Sequence, residues 1–247
     1  MGIDLQEIID MGNEKSAQIQ EGVPPHLVGV KMPDMLPIFP KLITGYTFDS
    51  ADHYELKTFV KDYIEKNKND GVSHDNGHNL TTWFNSSQQN FLNLEEPIVQ
   101  KFKKFISESY ETLNKVMHWD LKPDHFISEC WINKTGFDGY QLRHSHSNCW
   151  ISGTYYLDFP DGSSPIRFSQ ANKFESETPY FYVPPVEHNP FNSHFHDLMP
   201  KEGSLLLWAS NIVHETLPNQ SDSRISISMN IVPSEIDNGS YSVKLSK

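Results

Sequence analysis

Tyr140-Gln141-Leu142-Arg143-His144-Ser145-His146 carries two imidazoles two residues apart. In a β-strand, residues at that spacing point to the same side, so one short segment can aim both rings at a common point. Its surroundings support reading it as strand. After Pro123 the chain changes from helical spacing to short runs of β-branched and aromatic residues separated by turn residues. Strands are expected over 126–133, 139–146, 150–158, 166–169, 204–209, 212–217 and 224–232. Turns are expected at Lys134-Thr135-Gly136, Pro160-Asp161-Gly162, Lys201-Glu202-Gly203 and Asn219-Gln220-Ser221. So many short strands at regular spacing argue for a double-sheet jelly roll rather than alternating βα units.

Upstream, Leu56, Phe59, Val60, Tyr63 and Ile64 recur at helical spacing between Ser50 and Asn67, and Ser50 with Asp52 can cap the start. A longer helix is expected from about Glu95 to His118. It tolerates Pro97 in its first turn and sets Ile98, Phe102, Phe105, Ile106, Leu113 and Val116 on one face. Helices with a single apolar stripe pack on the outside of a sheet. Residues 1–40 contain one weak helical signal followed by Pro24, Pro25, Pro33, Pro37 and Pro40, and read as an irregular arm. The expected organisation is therefore mainly β: a double-stranded β-helix over 41–247 as one catalytic domain, with a helical flank at 50–118. Residues 171–200 are rich in Pro, Phe, Tyr and His and poorly periodic, the character of a lid or binding loop.

At 247 residues the chain can bury one sizeable core. Its formal net charge of −12 opposes binding to a phosphate backbone, so no nucleic-acid partner is expected. No apolar run approaches the roughly 18 residues of a spanning helix. The N-terminus lacks the basic-then-apolar form of a secretion signal, which makes a cytoplasmic location the default expectation. Cys130 and Cys149 read as free thiols.

A third imidazole, His214, stands alone in the apolar, β-rich run Leu205 to His214. Together His144, His146 and His214 suit a mononuclear metal, and neutral imidazoles do not by themselves choose between iron, zinc, copper and nickel. His188, His194 and His196 with Asp197 form a competing cluster in the proline-bounded loop, without strand patterning. Ten residues beyond His214 comes Arg224-Ile225-Ser226-Ile227-Ser228-Met229-Asn230. Alternation puts Arg224, Ser226 and Ser228 on one face and the apolar residues on the other. A guanidinium turned into a jelly-roll interior is costly unless an anion meets it. A carboxylate bound bidentately, with a serine hydroxyl assisting, satisfies its donors; an internal ion pair with an acidic residue is the alternative.

These residues resemble the 2-oxoglutarate and Fe(II)-dependent oxygenases. The spacing from His214 to Arg224-x-Ser226 resembles their co-substrate motif, and Tyr140-x3-His144-x-His146 their first ligand strand. Trp131-x-Asn133, Ser152-Gly153-Thr154-Tyr155-Tyr156-Leu157 and Gly203-Ser-Leu-Leu-Leu-Trp208 are similar to a microbial and phage branch with an HxH…H…RxS pattern. The resemblance covers about residues 80 to 232. It implies Fe(II) on His144, His146 and His214, O2 as oxidant, and 2-oxoglutarate held through its C5 carboxylate by Arg224 and Ser226. Tyr155 and Asn133 are candidates for further co-substrate hydrogen bonds. The implied activity is hydroxylation of a C–H bond of a peptide side chain or small metabolite, with release of succinate and carbon dioxide.

One departure stands out: the family's usual triad is two histidines and a carboxylate, and His146 occupies the carboxylate position. His146-x-Asn148 is a second register for the ligand pair. Two other readings of the same residues remain. One is a three-histidine cupin-type enzyme in which Arg224 binds the substrate's own carboxylate; the other is a non-catalytic metal-binding jelly roll.

Overall fold

The computed structural model describes residues 41–67, 72–74, 78–82, 90–119, 124–170, 193–237 and 239–246, with backbone alone at 72–74. The expected arm at 1–40 and most of the expected loop, residues 171–192, lie outside these. Ile43–Lys247 forms one compact unit. In chain order its elements are β1 (Ile43–Thr47), α1 (Ser50–Lys66), β2 (Val72–His74), β3 (Asn79–Thr81), a short 3-10 turn (Phe91–Asn93) and α2 (Pro97–Val116). There follow β4 (His125–Thr135), β5 (Gln141–His144), β6 (Ile151–Asp158), β7 (Ile166–Ser169), β8 (Phe195–Leu198) and β9 (Ser204–Ala209). The chain ends with β10 (Val213–Thr216), β11 (Arg224–Pro233), β12 (Glu235–Asp237) and β13 (Ser242–Lys244).

The strands form a major sheet in the order β1-β9-β6-β11-β4-β3-β2 and a minor sheet in the order β5-β10-β7-β8; β12 and β13 make a separate hairpin. Among the described residues every pairing between these strands is antiparallel. This is the mainly β jelly roll expected from the sequence. Its two central strands, β6 and β11, are buried almost throughout because both of their faces are covered.

The outer face of the major sheet packs on the helices. Ile225, Ile227 and Met229 of β11 join Leu56 and Val60 of α1 and Ile98, Phe102, Ile106 and Tyr110 of α2 in one core. Phe102 sits at its centre, with its ring centroid 4.8 Å from Tyr155 and 5.7 Å from Phe48. A smaller core of Tyr156, Phe168, Leu206, Trp208 and Ile212 fills part of the space between the two sheets. Gly153 is where β6 passes closest to β9: a Cβ there would lie 2.5 Å from Leu207 Cδ2 and 3.0 Å from the Leu206 carbonyl oxygen.

Several local expectations need correction. Asp49 caps α1, accepting from the amides of Ala51 and Asp52 at 2.9 and 3.2 Å, where Ser50 and Asp52 had been the candidates. Val116, assigned to the apolar face of α2, is exposed at its C-terminal end. Strands β1, β2, β3, β8, β12 and β13 were not anticipated. The first is an edge strand, β2 and β3 are only three residues each, and β8 lies in the stretch read as a continuous loop.

Helix α1 is also tied to the sheet by charge. Lys57 Nζ lies 2.8 Å from Asp158 and 2.6 Å from Glu202, and Lys61 Nζ lies 2.6 Å from Asp158. Burial works against the Asp158 carboxylate, but its hydrogen bonds and charge interactions with Lys57 and Lys61 win and hold its pKa below the ordinary 3.8. A carboxyl with a depressed folded-state pKa contributes stability above its unfolded value and loses it as pH falls through the folded value. Thermal unfolding followed from pH 5 down to 3 is expected to fall less steeply for Asp158→Asn than for wild type. Truncating the centre of the helix-facing core, Phe102→Ala, is expected to lower stability by about 3–5 kcal/mol in urea unfolding without a change in m.

Candidate metal and anion site

The cleft lies between the two sheets, and the cross-strand register of the major sheet sets its wall. Arg224 pairs with Thr135, Ser226 with Asn133 and Tyr156, Ser228 with Trp131 and Thr154, and Asn230 with Glu129 and Ser152. Because β11 alternates, these polar rows share one face while its isoleucines and methionine enter the helix-facing core. Residues from several of these rows and from β5 and β10 line a cleft open to solvent.

His144 ends β5 and lies directly opposite His214 in β10. His146 is not on the strand as expected. It follows β5 and is anchored by its own amide, which donates to the Ser210 carbonyl at 3.0 Å. The three rings nevertheless converge, with centroids 4.4–5.2 Å apart, and one ligand nitrogen from each lies within 4.8 Å of the others. Asn148 is exposed with φ 60°, turned out of the strand, so the alternative His146-x-Asn148 register is not formed. Of the competing cluster, His188 lies outside the described residues. Asp197 is engaged by Arg167 through two hydrogen bonds of 2.6 and 2.7 Å, and His196 is exposed.

The outer nitrogens of the three rings are all occupied. His144 Nδ1 lies 2.6 Å from the Leu142 carbonyl, and His214 Nδ1 lies 3.0 Å from the Ile212 carbonyl. A carbonyl oxygen only accepts, so both rings carry a proton on Nδ1 and turn Nε2 the other way. His146 Nδ1 lies 2.6 Å from Asn230 Oδ1, which orients it in the same way. Burial, reinforced by the His144 ring, holds the His214 pKa down to about 3, and burial also lowers that of His146. Two imidazoles with Nδ1–H held by main-chain carbonyls, and a third oriented alike, form a donor set suited to a divalent transition metal.

Arg224 lies at the other end of the same wall and is 3% exposed. Among the described residues no carboxylate pairs with it, and its Nε has no hydrogen-bond partner. The internal ion pair considered from sequence is therefore absent there. Its guanidinium carbon sits 5.5 Å from the Tyr156 ring centroid and 5.6 Å from that of Phe159. The Tyr156 hydroxyl is beside it but not aligned in a hydrogen bond. Burial pushes that phenol up to about 12 against the pull of the Arg224 charge. Ser226 and Asn133 line the cleft next to Arg224, and Asn133 donates to Ser228 Oγ at 3.2 Å.

Tyr155 is the misplaced member of the expected set. It is 0% exposed in the helix-facing core, and its hydroxyl lies 2.6 Å from His53 Nδ1. Adjacent residues of a strand face opposite sides, so Tyr156 reaches the cleft in its place. Gln141 and Thr216, paired across β5 and β10, also line the cleft and were not singled out. Their only sequence signal was register with the histidines.

Residues 129–230, which include the three histidines and Arg224, match the family profile described as "Putative 2OG-Fe(II) oxygenase". Over that segment the chain matches the 2-oxoglutarate and Fe(II)-dependent oxygenases. Solved structures of similar fold include a prolyl-4-hydroxylase from Pseudomonas putida, at 15% identity and TM-score 0.52, covering 78% of this chain and 93% of that one. Another is the non-heme alpha ketoglutarate dependent epimerase SnoN from nogalamycin biosynthesis, at 9% identity and TM-score 0.55, covering 79% and 80%. At these identities the likeness establishes the fold. No curated protein sequence matches the chain. No helix among the described residues is long and apolar enough to cross a membrane.

If the three imidazoles hold a metal, adding Fe(II), Co(II) or Ni(II) raises the melting temperature by mass action, and His214→Ala removes that shift. A shift that survives His214→Ala would place the metal elsewhere.

Proposed function

We propose that the chain is a 2-oxoglutarate- and Fe(II)-dependent dioxygenase that hydroxylates a C–H bond of a peptide side chain or a small metabolite, and that the unit 43–247 carries this activity. The observation that supports it most directly is one cleft containing both a convergent three-histidine donor set and a buried arginine with no carboxylate partner among the described residues. His144, His146 and His214 would hold Fe(II) through Nε2, and Arg224 with Ser226 would hold the C5 carboxylate of 2-oxoglutarate. Bound together with O2, iron and 2-oxoglutarate supply the oxidising power, leaving succinate and carbon dioxide. The chain's part is to position and to shield. The Leu142 and Ile212 carbonyls and Asn230 keep the rings aimed inward. Tyr156 and Phe159 cover the guanidinium and limit its hydration, which strengthens its attraction for a carboxylate. Asn133 and Thr154 hold Ser228 Oγ at 3.2 Å each, keeping the wall between the two ends fixed.

The relatives in fold leave the outcome at carbon open. One is a prolyl-4-hydroxylase; another is an epimerase solved with Fe3+, alpha ketoglutarate and nogalamycin RO. A three-histidine enzyme without 2-oxoglutarate is the rival, since among the described residues no carboxylate joins the cluster. Succinate formation from 2-oxoglutarate with Fe(II) under air separates the two. Wild type is expected to turn over slowly even without the primary substrate. Losing a bidentate charge-assisted contact in Arg224→Ala is expected to weaken 2-oxoglutarate binding by about 100-fold or more, on the order of 3 kcal/mol. Undiminished binding of 2-oxoglutarate to Arg224→Ala would remove the co-substrate assignment.

A further inference from the structure

His146 stands where a carboxylate ligand would, yet a carboxylate is present two hydrogen bonds away. Asn230 Oδ1 accepts from His146 Nδ1 at 2.6 Å, and Asn230 Nδ2 donates to Glu129 Oε2 at 2.6 Å. Ser152 Oγ lies 3.0 Å from His146 Nδ1 and donates to Asn230 Oδ1 at 3.2 Å. Glu129, Asn230 and Ser152 are direct cross-strand neighbours on β4, β11 and β6, so the major sheet itself sets the spacing of the chain. The order of donors is determined from the carboxylate inward. An ionised carboxylate only accepts, so the amide must turn its NH2 toward Glu129 and its oxygen toward His146. That oxygen in turn requires the proton on Nδ1 and leaves Nε2 for the metal. His144 and His214 obtain the same orientation from main-chain carbonyls two residues away. His146 follows β5 and makes no such bond, and side chains supply the orientation instead.

We propose that Glu129 and Asn230 are positioning residues for the third metal ligand. Through the polarised amide they fix the His146 tautomer and strengthen the ring as a donor, passing to the metal part of the negative charge that a carboxylate ligand would have supplied directly. The proposal rests on the metal reading of the three histidines. It does not depend on the use of 2-oxoglutarate.

The test is titration of the metal-free full chain with Co(II), followed by calorimetry and by the visible d–d bands, with the melting temperature of each metal-free variant recorded in parallel. Asn230→Leu is expected to weaken Co(II) binding by about 10- to 100-fold, the range typical of groups that orient a ligand. Glu129→Gln keeps a carbonyl oxygen for the Asn230 amide but removes the charge. It is expected to lower affinity by about tenfold and shift the d–d bands while leaving the metal-free melting temperature in place. Glu129→Gln combined with Asn230→Asp moves the carboxylate one position inward and is expected to recover the affinity lost in the single variant. Wild-type affinity and spectrum in Glu129→Gln, with binding still abolished by His214→Ala, would overturn this inference alone. Failure of wild type to bind Co(II) would overturn it together with the metal reading.

Discussion

Strand β11 must satisfy two opposite environments at once, and the rest of the structure depends on that constraint. One face presents Ile225, Ile227 and Met229 to a core shared with both helices; the other presents Arg224, Ser226 and Ser228 to the cleft and Asn230 to the His146 ring. Burying a guanidinium and three polar side chains in mid-sheet is tolerable only with partners in register. The neighbouring strands supply them: Asn133 and Thr154 for Ser228, Glu129 and Ser152 for Asn230. A slip of one residue would put isoleucine in the cleft and arginine among the helices. The helix-facing core therefore does more than stabilise the sheet, because by holding register it also determines which side chains reach the site.

Arg224 is the exception in that pattern, with no carboxylate of its own among the described residues. Buried cations in folded proteins are ordinarily paired, and unpaired buried polar groups concentrate where a ligand completes them. Asn219 stiffens the turn that precedes β11. Its side-chain amide donates to the carbonyls of Gly136 and Ser221 at 3.0 and 2.8 Å, and its oxygen accepts from the Ser164 amide at 3.1 Å. The arginine thus follows a turn fixed by hydrogen bonds, and aromatic rings lie beside its guanidinium. Under the proposed function, such a preorganised arginine would need little rearrangement to receive a carboxylate.

Period-two patterning made much of this legible in the sequence. Strands β7 and β9 appear where alternation and turn residues put them, and β4, β5, β6, β10 and β11 differ only at their ends. The facing of Arg224, Ser226 and Ser228 followed from the same rule. Tyr155 was misread because two adjacent tyrosines in a strand buried on both faces carry no polarity signal to say which one points inward. Strand β1, whose partner β9 lies more than 150 residues away, and the three-residue strands β2 and β3 are too short or too distant for local pattern to reveal.

The sequence by itself determined the class of the fold, the three histidines and the arginine, since these follow from local periodicity and from side-chain chemistry. Only the tertiary structure decided how they work together. Hydrogen bonds donated to the Leu142 and Ile212 carbonyls and to Asn230 Oδ1 set which nitrogen of each ring faces inward, and cross-strand register put Tyr156 rather than Tyr155 beside Arg224. Glu129 meets Asn230 across 101 residues of chain. Such contacts depend on which strands lie side by side, and that is a property of the sheet rather than of any segment within it.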